Sequence, residues 1–159
     1  MIFPGTQIIT PRKSPAVTIG VVLVAIILLL PSRPEFASLK VYLCGIILLV
    51  FGALYFSLSK TYIILGNDDI TFKLSFKKEK IISWNQINSS RLEWHLHSHT
   101  ADLSWIIFYN NTMISFQPSY YGRKDLTLIA EALIIKCPAL IIDKRIKNIS
   151  QGIFPWYLF

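Results

Sequence analysis

Residues 41–58, VYLCGIILLVFGALYFSL, form an uncharged apolar stretch that decides the class of this protein. Its length is close to the about 20 residues that cross about 30 Å of hydrocarbon as a helix. A second apolar stretch, AVTIGVVLVAIILLL at residues 16–30, precedes it between Pro15 and Pro31. The connecting segment PSRPEFASLK is too short to fold alone, so the second span must return to the side that the first one left. The sequence therefore predicts a transmembrane helical hairpin over residues 15–58.

The basic residues that flank this hairpin predict its orientation. Arg12 and Lys13 precede the first span, and Lys60 begins a series of lysines after the second, whereas the loop carries Arg33 and Lys40. Since cytoplasmic flanks are enriched in Lys and Arg, we expect the N-terminal segment 1–14 and the C-terminus to be cytoplasmic. The alternative is a secretory signal cleaved after about residue 37. Charged Glu35 would then stand where a small residue is needed, and a second span follows directly, so retained anchors are favoured.

Composition agrees with a membrane protein. Hydrophobic residues make up 53% of the 159 residues, and the formal net charge is +7. The basic residues are scattered or adjoin apolar runs, which favours a membrane surface over nucleic acid as the partner. Cys44 and Cys137 do not form a short-spaced pair, so we interpret both as buried free thiols, with neither a disulfide framework nor a zinc pattern.

After the hairpin the apolar period changes to that of β-strands, which predicts a β domain over residues 60–143. The clearest strand is 70–76, where Ile70, Phe72 and Leu74 alternate with polar residues. Turn sequences such as GNDD and KKEK separate short apolar runs, as expected of antiparallel hairpins. Six strands are predicted in this way, at residues 61–65, 70–76, 81–84, 92–96, 103–109 and 112–116.

One helix is predicted after the strands. Leu126, Ile129 and Leu133 keep helical spacing between residues 125 and 137, with Asp125 as the expected N-cap and Pro138 as the stop. An apolar helix after antiparallel strands can cover an open end or face of a bent sheet, which makes the domain α+β. Residues 144–159 remain as a basic and aromatic tail.

The two spans, the strand pair TYIILGNDDITFKLSF, the segment IISWNQI and the helix near the end resemble membrane-anchored bacterial pleckstrin-homology-like (PH-like) domain proteins. The resemblance covers residues 61–142 and implies an antiparallel PH-like barrel or sandwich with one C-terminal helix. Six strands are found where that fold has seven, and the first hairpin turn carries Asp68 and Asp69 rather than basic residues, so phosphoinositide binding is not implied. In layout alone, the chain is also similar to photosystem I assembly factors with two N-terminal spans.

Three groups of residues are candidate sites. His95, His97 and His99 alternate and could face one side of a strand as metal ligands, although the polar face of an amphipathic strand collects such residues anyway. The basic residues around one predicted turn could contact anionic lipid headgroups, or could simply keep the domain soluble; they are Lys73, Lys77, Lys78 and Lys80. The tail could anchor at the membrane interface, or pack on the domain or be disordered; its candidate anchors are Trp156, Tyr157 and Phe159.

Together these features predict a membrane-anchored, non-enzymatic interaction module at the cytoplasmic membrane face. No nucleophile elbow, phosphate loop or catalytic acid and histidine spacing occurs in the sequence, and no cofactor is predicted. The expected partners are the bilayer and a protein in or beside it, and a homo-oligomer is compatible with the pattern. Two alternatives are an assembly or stability factor for a larger membrane complex, such as a photosynthetic one, and a metal-binding membrane protein that uses the histidine strand.

Overall fold

The computed structural model describes residues 6–29, 37–74, 77–97 and 100–158. Within those ranges the chain is α+β, with two four-stranded sheets and four α-helices. A strand forms at each of the six positions predicted after the apolar stretches, and two further short strands join them. The strand predicted over 70–76 ends at Lys73, and residues 75 and 76 lie outside the described ranges. The helices are α1 (Ser14–Leu29), α2 (Ala37–Ser59), α3 (Arg123–Lys136) and α4 (Lys144–Ser150), and the strands are β1 (Gln7–Ile9), β2 (Tyr62–Leu65), β3 (Asp69–Lys73), β4 (Lys80–Ser83), β5 (Ile87–His97), β6 (Thr100–Tyr109), β7 (Thr112–Phe116) and β8 (Ile141–Ile142).

The first sheet joins residues from both sides of the apolar helices. Its order is β1-β2-β3-β4, and all its pairs are antiparallel. Strand β1 precedes α1, yet Ile9 lies opposite Ile63 of β2, which follows α2. Ile9 is buried in the core, whereas its neighbour Ile8 is exposed. The chain therefore leaves the β domain after β1, forms two helices, and returns beside the point where it left.

The second sheet has the order β7-β6-β5-β8, in which the short β8 runs parallel to β5. Its inner face packs against the first sheet and α3, and the apolar residues of both sheets, α3 and α4 form one core. Trp105 is fully buried at its centre, and the indole N–H donates to the hydroxyl of Ser90 at 2.8 Å. This hydrogen bond satisfies the indole N–H, which would be costly to bury without a partner.

The two apolar helices pack side by side in opposite directions. Gly20 near the start of α1 lies against Phe51 in the second half of α2, and a Cβ at Gly20 would stand only 3.0 Å from the ring carbon Cγ. None of the described residues of α2 is buried, although the helix is almost wholly apolar. Among the described residues, α2 is the one helix long and apolar enough to cross a membrane, since α1 has 16 residues. The predicted hairpin of two spans goes beyond this finding.

Helix α3 begins three residues earlier than the sequence predicted. The N-cap of α3 is Gly122, not Asp125. Asp125 is the third residue of the helix, and its carboxylate accepts a hydrogen bond of 3.1 Å from the backbone N–H of Gly122. Asp125 has the side-chain signal of a cap, whereas a glycine cap such as Gly122 carries none, so the sequence pattern places the cap too late. The helix ends at Lys136, ahead of Pro138, as expected from the proline.

The segment described from sequence as a tail begins with a helix. Ile146 and Ile149 of α4 are fully buried in the core. Asp143 caps this helix by accepting the backbone N–H of Arg145 at 2.9 Å, and the Arg145 guanidinium pairs with the same carboxylate and donates to the carbonyl of Leu92 in β5. Burial alone would raise the pKa of Asp143, but hydrogen bonds from Arg145 and Leu92 outweigh it, so the pKa lies below its usual value. This pair therefore fastens α4 to β5.

Candidate functional site

A large groove lies where the two apolar helices meet the β domain, and it is the candidate site. We call it the junction groove. Its volume is about 960 Å³, at the upper end of the about 300–1,000 Å³ usual for ligand pockets. The start of α1, the end of α2, the middle of β6 and the end of β7 form its walls, together with the segments that follow β3 and precede α3. The lining residues are Arg12, Ile19, Phe51, Leu54, Ser57, Leu58, Thr61, Leu74, Lys77, Ser104, Ser115, Phe116, Gln117, Ser119, Tyr120 and Tyr121.

The lining is mostly apolar on the helix side and mixed on the sheet side. Phe51 and Leu54 supply an apolar wall from α2, and Tyr121 lies buried at the base of the domain side. Burial raises the pKa of the Tyr121 hydroxyl, with Asp125 adding to the shift, so this phenol remains neutral. Hydroxyl groups, among them those of Ser104 and Ser115, are spread along the sheet side.

The two charged residues of the lining are both cations. Arg12 is held in place because its backbone N–H donates to the carbonyl of Tyr120 at 2.6 Å, and its guanidinium passes over Gly122, where a Cβ would lie 3.2 Å from Nη2. Lys77 lies in the connection between β3 and β4 and is exposed. The described lining residues include no Asp or Glu, but the Asp125 carboxylate lies beside the Arg12 guanidinium, since a Cβ at Gly122 would also stand 2.8 Å from its Oδ2. The groove therefore has positive electrostatic character that Asp125 reduces at Arg12 and leaves unchanged at Lys77.

Two more cations lie over aromatic rings at the same end of the helices. The ammonium of Lys13 lies 5.5 Å from the ring centroid of Tyr55, and that of Lys60 lies 5.3 Å from the ring of Phe56. Both distances are within the range of cation–π attraction. Aromatic and basic side chains are therefore concentrated at the end of the helices that adjoins the β domain.

The four lysines predicted to contact lipid headgroups are divided by the structure. Lys77 lines the junction groove, and Lys73 ends β3 opposite Tyr62, the first residue of β2 after the helices. The ammonium of Lys80, by contrast, donates to the hydroxyl of Tyr109 at 3.1 Å. The structure thus brings Lys77, but not Lys80, to the groove. Lys78 is exposed and is not among the lining residues of the groove.

Of the predicted aromatic anchors, Tyr157 packs against the long β5–β6 hairpin. Trp156 is 89% exposed, and the ring of Tyr157 packs against Trp94 of β5 with centroids 5.2 Å apart. Tyr157 shares a small cavity with Tyr120, which also lines the junction groove. The exposed aromatic residues are therefore close to the helix side of the domain. Phe159 lies outside the described residues.

The structure describes only part of the three histidines that were predicted as metal ligands. The backbones of His95 and His97 belong to β5, two residues apart in one strand, but their side chains and the whole of His99 lie outside the described part. Among the described residues there is no cluster of three or more His, Cys, Asp or Glu side chains that could hold a metal ion.

A second groove, which we call the distal groove, opens at the other end of the domain. Its volume is about 640 Å³, and it lies between the β2–β3 turn, the 3₁₀ turn after β4 and the end of α3. Trp84 fixes its floor, donating its indole N–H to the carbonyl of Gly66 at 3.3 Å, while the thiol of Cys137 donates to the carbonyl of Trp84 at 3.2 Å. Burial raises the pKa of the Cys137 thiol to about 11, so the thiol is protonated and unreactive at neutral pH.

Cys44 and Cys137 are both free, and only Cys137 is buried.

Neither groove was foreseen from the sequence. The junction groove needs β1 to hold Arg12 beside Tyr120, and a three-residue strand ahead of an apolar helix carries no clear periodic signal. The distal groove is formed by loops and a helix end that are far apart in the chain. Comparison of the chain with protein-family models, with curated proteins and with solved structures gives no match.

Proposed function

We propose that this chain is a membrane-anchored, non-enzymatic interaction module that holds a β domain at the cytoplasmic face of a membrane. One observation carries the proposal. Helix α2 has 23 residues, is almost wholly apolar, and has no buried residue among those described. A core helix of a water-soluble domain would be buried, whereas an apolar helix that is at most half-buried, as where Phe51 meets α1, and is otherwise exposed needs hydrocarbon around it. At about 1.5 Å per residue it is about 35 Å long, enough for a bilayer core of about 30 Å.

The pairing of β1 with β2 favours two spans. Ile9 and Ile63 lie opposite each other in one sheet, so residues on either side of the helices must be on the same side of the membrane. If α2 crosses the bilayer, the chain before it must cross as well, and α1 is the apolar segment that can do so. Its 16 residues measure about 24 Å at about 1.5 Å per residue, a modest mismatch that a bilayer can accommodate by thinning.

The same pairing favours retention of the N-terminal segment. A cleaved signal would remove β1, and with it the buried side chain of Ile9. The first sheet would then lose an edge strand and expose core residues of β2. We therefore favour a retained anchor over a cleaved signal.

The distribution of basic residues supports a cytoplasmic β domain. Arg12, Lys13 and Lys60 lie at the domain end of the helices, and Lys77 faces the same level from the β domain. Of the described residues at the other end, Lys40 in the first turn of α2 is the basic one. By the positive-inside rule, the more basic end is cytoplasmic.

We further propose that the β domain is PH-like, and the arrangement of its strands supports this fold. With β1 added, the first sheet has four antiparallel strands, and β5, β6 and β7 form an antiparallel set of three, followed by α3. Strands β1 to β7 therefore number seven, one more than the sequence predicted. The two apolar helices are inserted between the first of these strands and the second. The parallel strand β8 and helix α4 are additions to such a fold.

The distal groove is the surface that we propose for a protein partner. It points away from the helices, and its rim combines exposed polar residues such as Asn85 and Asp68 with the exposed Pro138. Mixed polar and apolar concave surfaces suit peptide or loop recognition at a folded domain.

A site-specific photocrosslinking experiment in native membranes tests this function. A photoreactive amino acid at Asn85, in the distal groove, is compared with the same residue at exposed Lys124, at the opposite end of α3. We expect a defined protein adduct at Asn85 that is absent at Lys124 and is lost when Asp68→Lys alters the groove rim. Equal adducts at both positions, or adducts with lipid alone, would refute the proposed protein-binding surface. The identity of the captured subunits would also show whether the partner is a larger membrane complex.

A further inference from the structure

The junction groove opens onto the exposed apolar surface of the helix pair. Ile19 of α1 and Leu54 of α2 line the groove and also belong to the large apolar surface that these helices expose. If the helices are embedded in a bilayer, as proposed above, the groove mouth lies at the boundary between hydrocarbon and headgroups. The groove is then open to lipid from the side.

The chemistry of the lining changes along the groove in the way that a phospholipid changes along its length. Phe51, Leu54 and Leu58 supply an apolar wall toward the helices, where an acyl chain would lie. Arg12 and Lys77 stand at the domain end, with hydroxyl and amide groups nearby, including those of Ser104 and Gln117. Arginine and lysine bind phosphate oxygens with charge-assisted hydrogen bonds.

The electrostatics select the class of lipid. The lining contains two cations and, among the described residues, no carboxylate. Asp125, beside Arg12 at Gly122, offsets at most one of these charges, so a headgroup with net negative charge is still favoured over a zwitterionic one. A peptide is a poorer occupant because its backbone amides would need hydrogen-bond partners at the apolar wall. We propose that the junction groove binds one anionic phospholipid of the surrounding leaflet, with its phosphate between Arg12 and Lys77 and an acyl chain against α2.

This inference rests on the proposed membrane anchoring and names a ligand for a site that anchoring alone does not require. It also assigns a function to only one of the four lysines that the sequence singled out. Lys77 contacts the headgroup, while Lys78, its exposed neighbour, lies outside the groove and provides a matched control.

The test uses the full chain in nanodiscs that contain a trace of acyl-chain diazirine phospholipid, as either phosphatidylglycerol or phosphatidylcholine. After illumination, adducts are mapped by mass spectrometry. We expect the phosphatidylglycerol probe to label groove residues such as Leu54 and Phe116 in excess over the phosphatidylcholine probe. The double variant Arg12→Gln/Lys77→Gln should lower that labelling by roughly fivefold for each charge removed, as expected for basic residues beside an anionic surface. The control Lys78→Gln/Lys124→Gln, with the same change in net charge, should label like the parent.

A second variant keeps both cations and removes the space. Ser115 is exposed and lines the groove, so Ser115→Phe should block the acyl chain while the emission of the buried Trp84 and Trp105 and the unfolding midpoint report an intact domain. Equal labelling by the two probes, or adducts on the outer helix faces alone, would overturn the lipid site while leaving the anchor in place. Absence of labelling by either probe, together with release of the protein by alkaline carbonate, would instead refute membrane anchoring itself.

Discussion

Replacement of Ile9 tests whether the residues before the apolar helices belong to the β domain. Ile9 is 3% exposed and packs in the core, whereas Ile8, the preceding residue of the same strand, is 68% exposed. Ile9→Ala removes three buried carbon atoms, worth about 2.4 kcal/mol at about 0.8 kcal/mol per methylene, and Ile→Ala substitutions in protein cores cost about 2–5 kcal/mol once the cavity is included. Ile8→Ala changes the strand propensity by the same amount, up to about 1 kcal/mol, but removes little buried surface. We therefore expect Ile9→Ala to reduce the free energy of unfolding by about 2 kcal/mol more than Ile8→Ala does.

The assay is urea unfolding of the full chain in detergent micelles, followed by the fluorescence of the tryptophans. Trp84 and Trp105 are buried in the β domain, so their emission reports its unfolding. With a denaturant slope of about 1–3 kcal/mol per molar urea, Ile9→Ala should lower the midpoint by about 0.7–2 M relative to Ile8→Ala. Equal midpoints for the two variants would refute the pairing of β1 with β2, and with it the argument that both ends of the helix pair lie on one side of the membrane.

Two further predictions concern the helix pair and α4. Gly20→Ile should separate α1 from α2, because its Cβ would stand 3.0 Å from Phe51, whereas Gly52→Ile has nothing within 4 Å; spin labels on the two helices should move apart in the first variant only, and no change in either would contradict the packing. Asp143 has a lowered pKa, so the stability that it contributes is present above the pKa of the unfolded chain, about 3.9, and is lost as the pH falls through the folded value. Asp143→Asn should therefore lower the unfolding free energy at pH 7, by about 1–3 kcal/mol for hydrogen bonds to a charged group, and should flatten its fall between about pH 5 and 2; parallel pH profiles would refute this role.

The sequence predicted the helices and strands in which apolar residues recur at a regular spacing over many residues. The helical spacing of Leu126, Ile129 and Leu133 predicted α3, and the alternation around Ile70 and Phe72 predicted β3. That strand ends before Leu74, however, and Thr71 on its predicted polar face is buried. These patterns are local, since each follows from the need to bury one face of a single element. The existence of α2 followed likewise from one continuous apolar run.

Features that depend on pairing between distant segments could not be predicted in this way. Strand β1 has three residues and becomes a strand because Ile9 meets Ile63, more than fifty residues away in sequence. Helix α4 is short and basic, and it forms where Asp143 and Arg145 fasten it to β5. The junction groove requires the pairing of β1 with β2 and the packing of the two apolar helices. The sequence therefore pointed to Lys77 as one of four lysines and did not point to Arg12 as its partner.

The most direct test of the account is the sidedness of three positions in sealed membrane vesicles. Single cysteines are placed at Ile8 before the helices, at Ser38 in the first turn of α2, and at Ile153 after α4, in a Cys44→Ala background where the buried, protonated Cys137 reacts little. A membrane-impermeant maleimide should label Ile8→Cys and Ile153→Cys from the same, cytoplasmic side, and Ser38→Cys from the other side only. Labelling of Ile8→Cys and Ile153→Cys from opposite sides, or labelling of all three from one side, would contradict a helix pair that crosses the membrane twice and holds the β domain at its cytoplasmic face.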